Sequence, residues 1–213
     1  MQTIYFISGT GSSKKLFNFL DLSFCNPVFV DWIKPLENES LQHYALRLKE
    51  TIRDKSPIIV GVSFGGMLAS EMARADPSAK VIIISSNKTS DEFPKYLRIG
   101  NYFPVYKWVP QNLLKHKHLF TQFVFGAKGK EQKALHRILL QENDIPLTQW
   151  SIGAILKWKS TTAPKNIVHI HGTADTLLPY KLITADYTIK GGTHMMIMDR
   201  AGEIVSILKK LIQ

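Results

Sequence analysis

Residues 57–75, PIIVGVSFGGMLASEMARA, run a continuously apolar segment into a glycine-rich turn and then, with no linker, into a stretch patterned as a helix. An apolar run without polar alternation predicts a strand covered on both faces, as in a parallel sheet flanked by helices. Parallel strands need crossover connections, and the chain supplies them. Runs at 3–8 (TIYFIS), 28–32 (VFVDW), 80–86 (KVIIISS), 166–171 (NIVHIH) and 184–190 predict five further strands, most of them separated by amphipathic stretches. The expected class is therefore α/β, a mostly parallel sheet of about six strands with helices on both faces.

The connecting helices can be placed. Ser40 is positioned to cap a helix over LQHYALRLKETIR, whose Leu41, Tyr44, Ala45, Leu48 and Ile52 form one apolar stripe. AGEIVSILKKLI predicts a last helix at 201–212, with Asp199 at its start as an N-cap. Between 87 and 165 the strand rhythm stops, and Pro94, Pro104 and Pro110 are followed by helical segments such as KEQKALHRILLQ and WSIGAILKW. A plain loop of that length is unexpected in a compact domain, so a helical lid inserted at about 87–165 is predicted. With 213 residues, 45% of them hydrophobic and 21% charged, the chain is expected to be a single domain over 1–213.

Composition narrows the partners. The net charge of +10 is spread over scattered lysines, and KHKH at 115–118 is a small local cluster, so nucleic acid is not expected. No apolar run approaches the roughly 18 residues that span a bilayer, so membrane insertion is not expected. The lone Cys25 has no internal disulfide partner, and MQTIYFISGTG lacks the pattern of a secretory leader, so a cytoplasmic location is expected. GTGSSKK at 9–15 misses the spacing of a phosphate loop, and His169 and His171 have no further ligands to complete a metal shell. Neither cofactor nor metal is expected, and no oligomeric interface is legible.

The chemistry concentrates at three strand ends. Gly61, Ser63 and Gly65 spell G-x-S-x-G between strand and helix, the context of a turn that exposes its central serine as a nucleophile. A serine hydroxyl needs a histidine base, and the histidine an acid. Asp175 lies just beyond the strand at 166–171, and His194 follows the next strand in GGTH. Asp144 in the lid, Asp186 inside a predicted strand and Asp199 are the competing acids, and Asp175 is preferred for its place at a strand end. Trp32, Trp150 and Trp158, with Trp108, Phe120, Phe123 and Phe125, are candidates either for an apolar substrate pocket or for plain core.

FISGTGSS, GVSFGG, HIHGTAD and GGTH, in that order, resemble the α/β-hydrolase fold superfamily, in particular its small single-domain bacterial serine hydrolases with a helical lid. The resemblance implies a Ser63–Asp175–His194 triad and an oxyanion hole made by the backbone N–H groups of Phe64 and Thr10. Ser8-Gly9 stands where the family often has His-Gly. It also implies a sheet without the two leading strands of larger members. The function expected is hydrolysis of a small-molecule carboxylic ester or thioester through an acyl-enzyme. Carbon–carbon bond cleavage or lyase chemistry with the same triad, and a non-catalytic binding protein, are the alternatives.

Overall fold

Side-chain alternation along the central strands divides the interior into two cores. In the computed structural model, which describes residues 1–94 and 144–212, the apolar runs form β1 (Thr3–Ile7), β2 (Asn26–Phe29), β3 (Ile58–Val62), β4 (Lys80–Ile84), β5 (Ile167–Gly172) and β6 (Tyr187–Ile189). They make one sheet in the order β2-β1-β3-β4-β5-β6, and all five pairings are parallel. Tyr5, Ile7, Ile59, Val81 and Ile83 face one core. Ile4, Phe6, Val60, Ile82 and Ile84, their neighbours in sequence, face the other. Both faces of the central strands are thus apolar because both are covered, which is what their unbroken hydrophobic runs require.

The first core is closed by α1 (Leu41–Lys49), α2 (Phe64–Ala75) and α3 (Ile145–Lys157). Ser40 caps α1 by accepting from His43 N–H at 3.1 Å. All five residues of the predicted stripe are buried, although the helix ends before Ile52. A short 3-10 helix (Lys14–Phe19) and α5 (Ala201–Ile212) close the second core.

Two expectations need correction at the edges. The last strand is three residues long, and Asp186 lies just before it, bonded to Lys88 Nζ at 3.0 Å and to His169 N–H at 2.8 Å. Asp199 is the final residue of a one-turn helix, α4 (Met196–Asp199), so it ends that turn and does not cap α5.

The chain leaves β1 toward β2, returns past β1 to β3, and then proceeds the other way to β6. The order reverses between β1 and β3, and an open α/β sheet forms its crevice beyond the carboxyl ends at such a point. Most of the predicted lid, including Pro104, Pro110, Trp108, Phe120, Phe123 and Phe125, lies outside the described residues. Its two ends are described and are joined: Ser90 N–H and Oγ–H both donate to the Ser160 carbonyl, at 2.8 and 3.1 Å. Asp144 caps α3 through Leu147 N–H at 2.9 Å. Among the described residues no helix is long and apolar enough to cross a membrane.

Candidate active site

Ser63 stands one residue beyond β3 with φ 53° and ψ −121°, a conformation that costs a non-glycine residue on the order of 1–3 kcal/mol. Its N–H donates to Ile84 O at 3.0 Å, adding a rung beyond the β3–β4 ladder, and α2 starts at the next residue. The glycines of the motif are required for different reasons. A β-carbon on Gly61 would lie 2.5 Å from the Gly65 carbonyl oxygen, because strand and helix nearly touch. One on Gly65 would lie 2.2 Å from Ser8 O and 2.4 Å from Ile7 O, because the end of β1 presses on the turn from the other side. That second approach brings the 8–10 loop against Ser63.

The three residues expected at strand ends meet. Ser63 Oγ is 3.0 Å from His194 Nε2, and His194 Nδ1 is 2.8 Å from Asp175 Oδ2. An ionised carboxylate can only accept, so His194 carries its proton on Nδ1 and its bare Nε2 accepts from the Ser63 hydroxyl. Asp175 Oδ1 accepts from Leu177 and Leu178 N–H at 2.9 and 2.8 Å. Burial pushes the Asp175 carboxyl up, but the His194 ring, the Leu178 N–H and His171 together outweigh it and hold the group below the usual carboxylate range. The acid turn is fastened to the histidine loop by Ala174 N–H, which donates to Gly192 O at 2.9 Å.

Phe64 N–H opens α2 beside Ser63, where a helix start leaves its donors unspent. Among the described residues neither the Phe64 nor the Thr10 N–H has an acceptor. Ser8 Oγ–H donates to Ser12 O at 2.9 Å, and Trp32 Nε1–H donates to the same carbonyl at 3.2 Å, so the loop carrying Thr10 is braced from two directions.

The candidate aromatics separate. Trp32 stacks on Phe64 with centroids 5.9 Å apart, and Trp150 meets Phe64 edge-on at 5.8 Å. Trp158 takes the core role of the two open to it. It is 4% exposed, its N–H donates to Glu71 Oε1 at 2.5 Å, and its ring meets Phe93. A cavity of about 210 Å³ lies beside the 8–14 loop, walled by Ser8, Ser12, Lys14, Phe29, Trp32 and Leu147. Of the competing acids, Asp144 caps a helix, Asp186 pairs with Lys88, and Asp199 closes α4.

No family model and no curated protein matches the chain. Solved structures do. A carboxylesterase of the ammonia-oxidising thaumarchaeon Nitrososphaera gargenis superposes with a TM-score of 0.75 at 14% identity, over 99% of this chain and 89% of that one. A lipase-esterase related protein from Clostridium acetobutylicum gives 0.72 at 16%, over 99% and 94%. The enol-lactonase from Burkholderia xenovorans gives 0.68 at 13%, over 98% and 90%.

The chain has the α/β-hydrolase fold. Within that fold the sequence reading missed one residue that shapes the site. Ser86, at the carboxyl end of β4, is wholly buried and donates from Oγ to the Ser63 carbonyl at 2.6 Å. Its only signal was a pair of serines ending an apolar run. His169 and His171 are buried on β5 with Nε2 and Nδ1 3.2 Å apart, and no group of three metal-binding side chains occurs among the described residues.

Proposed function

We propose that this protein is a serine hydrolase that cleaves carboxylic esters or thioesters of small molecules through an acyl-enzyme. The observation that carries the reading is the buried chain Ser63 Oγ–His194 Nε2 and His194 Nδ1–Asp175 Oδ2, at 3.0 and 2.8 Å, ending on a serine held in a strained turn. Ser63 Oγ bonds to the acyl carbon as its proton passes to His194 Nε2, and the carbonyl electron pair moves onto oxygen. The Phe64 and Thr10 N–H groups receive that oxygen, each worth on the order of 3 kcal/mol in such a role. Collapse expels the alkoxide or thiolate, which takes the proton from His194. Water then repeats the sequence at the acyl carbon and releases the acid, restoring Ser63.

Asp175 keeps His194 in the tautomer this needs and stabilises the imidazolium formed in transit. Trp32 and Trp150, both against Phe64, supply apolar surface beside the oxyanion donors and favour a hydrophobic acyl or alcohol part. The named activities of the fold neighbours, carboxylesterase and enol-lactonase among them, are consistent with this chemistry.

The test is the intact mass of the protein after exposure to a fluorophosphonate, beside Ser63→Ala and His194→Ala. A single adduct on the wild type, lost in both variants, is expected. A folded wild type that takes no adduct would overturn the acyl-enzyme reading and favour a binding protein on this fold.

A further inference from the structure

Asp175 is held by more than His194. His171, the penultimate residue of β5, is wholly buried, with Nε2 2.9 Å from the Leu178 carbonyl oxygen and 3.6 Å from Asp175 Oδ2. Its Nδ1 lies 3.2 Å from Nε2 of His169, which is buried as completely. A carbonyl oxygen only accepts, so the His171 proton is on Nε2. Burial holds the pKa of His171 below its usual value even beside the Asp175 carboxylate, and burial first, then His171, holds that of His169 well below. In a neutral ring protonated at Nε2 the other nitrogen is bare, so His169 must offer Nε2–H to it. His169 Nδ1 is then bare as well and makes no hydrogen bond among the described residues, while the Ser86 carbonyl near the ring opposes, without outweighing, the burial that keeps it neutral.

Leu178 is gripped at both ends of its peptide unit. Its carbonyl accepts from His171, and its N–H donates to Asp175 Oδ1 at 2.8 Å. The His171 ring therefore reaches the carboxylate twice, once through this turn and once across 3.6 Å to Oδ2, the oxygen that accepts from His194. A ring protonated on Nδ1 would turn a lone pair toward both the Leu178 carbonyl and the carboxylate, repelling each.

We propose that His171, with its proton fixed on Nε2 by Leu178 and His169, is a positioning residue that sets the turn and the orientation of Asp175 toward His194. Its consequence for rate rests on the hydrolase reading above. Its protonation pattern and its effect on the His194–Asp175 bond do not.

The test combines spectroscopy of the 15N-labelled full chain at pH 7 with the rate of fluorophosphonate labelling. Long-range 1H–15N correlations are expected to show His171 and His169 each with a bare Nδ1 and a protonated Nε2. A proton on Nδ1 of either ring, or on both nitrogens of His171, would overturn the proposal without any variant being made. His171→Phe is expected to slow labelling about tenfold, a loss in keeping with misplacement of a catalytic group rather than its removal. His171→Gln, whose amide N–H reaches the place of Nε2, is expected to recover to within about threefold. Equal rates for the two variants would sink the idea. If the wild type takes no label, the hydrolase reading fails by itself. The downfield proton of His194 Nδ1–H then decides: it must move in His171→Phe and return in His171→Gln, and a resonance unchanged in both refutes the positioning role.

Discussion

Ser86 Oγ donates to the backbone carbonyl of Ser63 at 2.6 Å, while Ser63 N–H donates to Ile84 O at 3.0 Å. The strained residue is thus held on both its peptide units by the end of one neighbouring strand, which suits a turn that would otherwise relax toward helical backbone. Ser86→Ala removes one of these holds but leaves the Ser63 carbonyl accepting from Gly66 and Met67 N–H. The expected stability loss is therefore only about 1 kcal/mol by urea denaturation. Fluorophosphonate labelling of Ser63 is expected to slow about tenfold, because the loss falls on the orientation of Oγ. Labelling at the wild-type rate would reduce Ser86 to packing.

Gly65→Ala should be far more damaging. Its β-carbon would meet two backbone oxygens of the β1 end at 2.2 and 2.4 Å, and backbone cannot swing aside as a side chain can. Either β1 or α2 must shift, at a cost of about 3 kcal/mol, and the 8–10 loop moves off the serine. The expected outcome is a folded protein with a lowered urea midpoint and labelling reduced at least a hundredfold. Near-normal labelling would separate the loop from the chemistry.

The sheet was legible because its central strands are apolar on both faces, and the stripe of α1 because Leu41, Tyr44, Ala45, Leu48 and Ile52 fall at helical spacing before a serine cap. Ser63, Asp175 and His194 could be named because each follows a strand within a few residues of a glycine. What sequence could not supply was contact across strands. Ser86 reads as an ordinary polar ending, and its bond to Ser63 exists only because β4 pairs with β3. His171 reads only as half of an incomplete metal pair, and its grip on Leu178 depends on how the chain turns after β5. Trp158 could not be told from a pocket aromatic, because its partner Glu71 lies 87 residues away.

Trp158 gives a contrast between stability and chemistry. Trp158→Phe keeps a ring against Phe93 but strips Glu71 of one donor, leaving Arg74 Nη1 on the same oxygen at 2.7 Å. About 1–2 kcal/mol should be lost. Trp158→Ala should cost about 3–5 kcal/mol through the cavity it opens. Both variants, once folded, should label within about threefold of the wild type, whereas Trp32→Ala, which bares Phe64, should change the preference for acyl chain length in ester hydrolysis. A selective loss of long-chain turnover in Trp158→Phe would return that residue to the pocket.

The pH dependence of folding should be set by two buried histidines from near neutrality downward and by carboxyls below about pH 4. Burial depresses the pKa of both His169 and His171, so below about pH 6.5 the unfolded chain binds protons that the folded chain refuses. Stability therefore falls as pH drops, by up to about 2 kcal/mol between pH 7 and 5.5 for the two rings together. Asp175 and Asp76 act lower. Asp76 is held at about 2, first by the Lys49 ammonium 2.8 Å away, and both carboxyls stabilise the fold above the unfolded value near 4 and lose that contribution as pH falls through their folded values. Glu92 has the opposite sign. Burial raises its pKa, so it favours the fold while protonated, loses that contribution as pH rises through its folded value, and offsets part of what those carboxyls lose. Urea midpoints at pH 7, 5.5, 4.5 and 3 should fall continuously from near pH 6.5, because a ring that refuses protons goes on losing stability down to its folded pKa, and the carboxyls should add to the slope below about 4. His171→Gln should remove about half of the fall between pH 7 and 5.5. A wild type with a flat profile from pH 7 to 5.5 would mean that the folded protein takes up protons at these rings as readily as the unfolded chain.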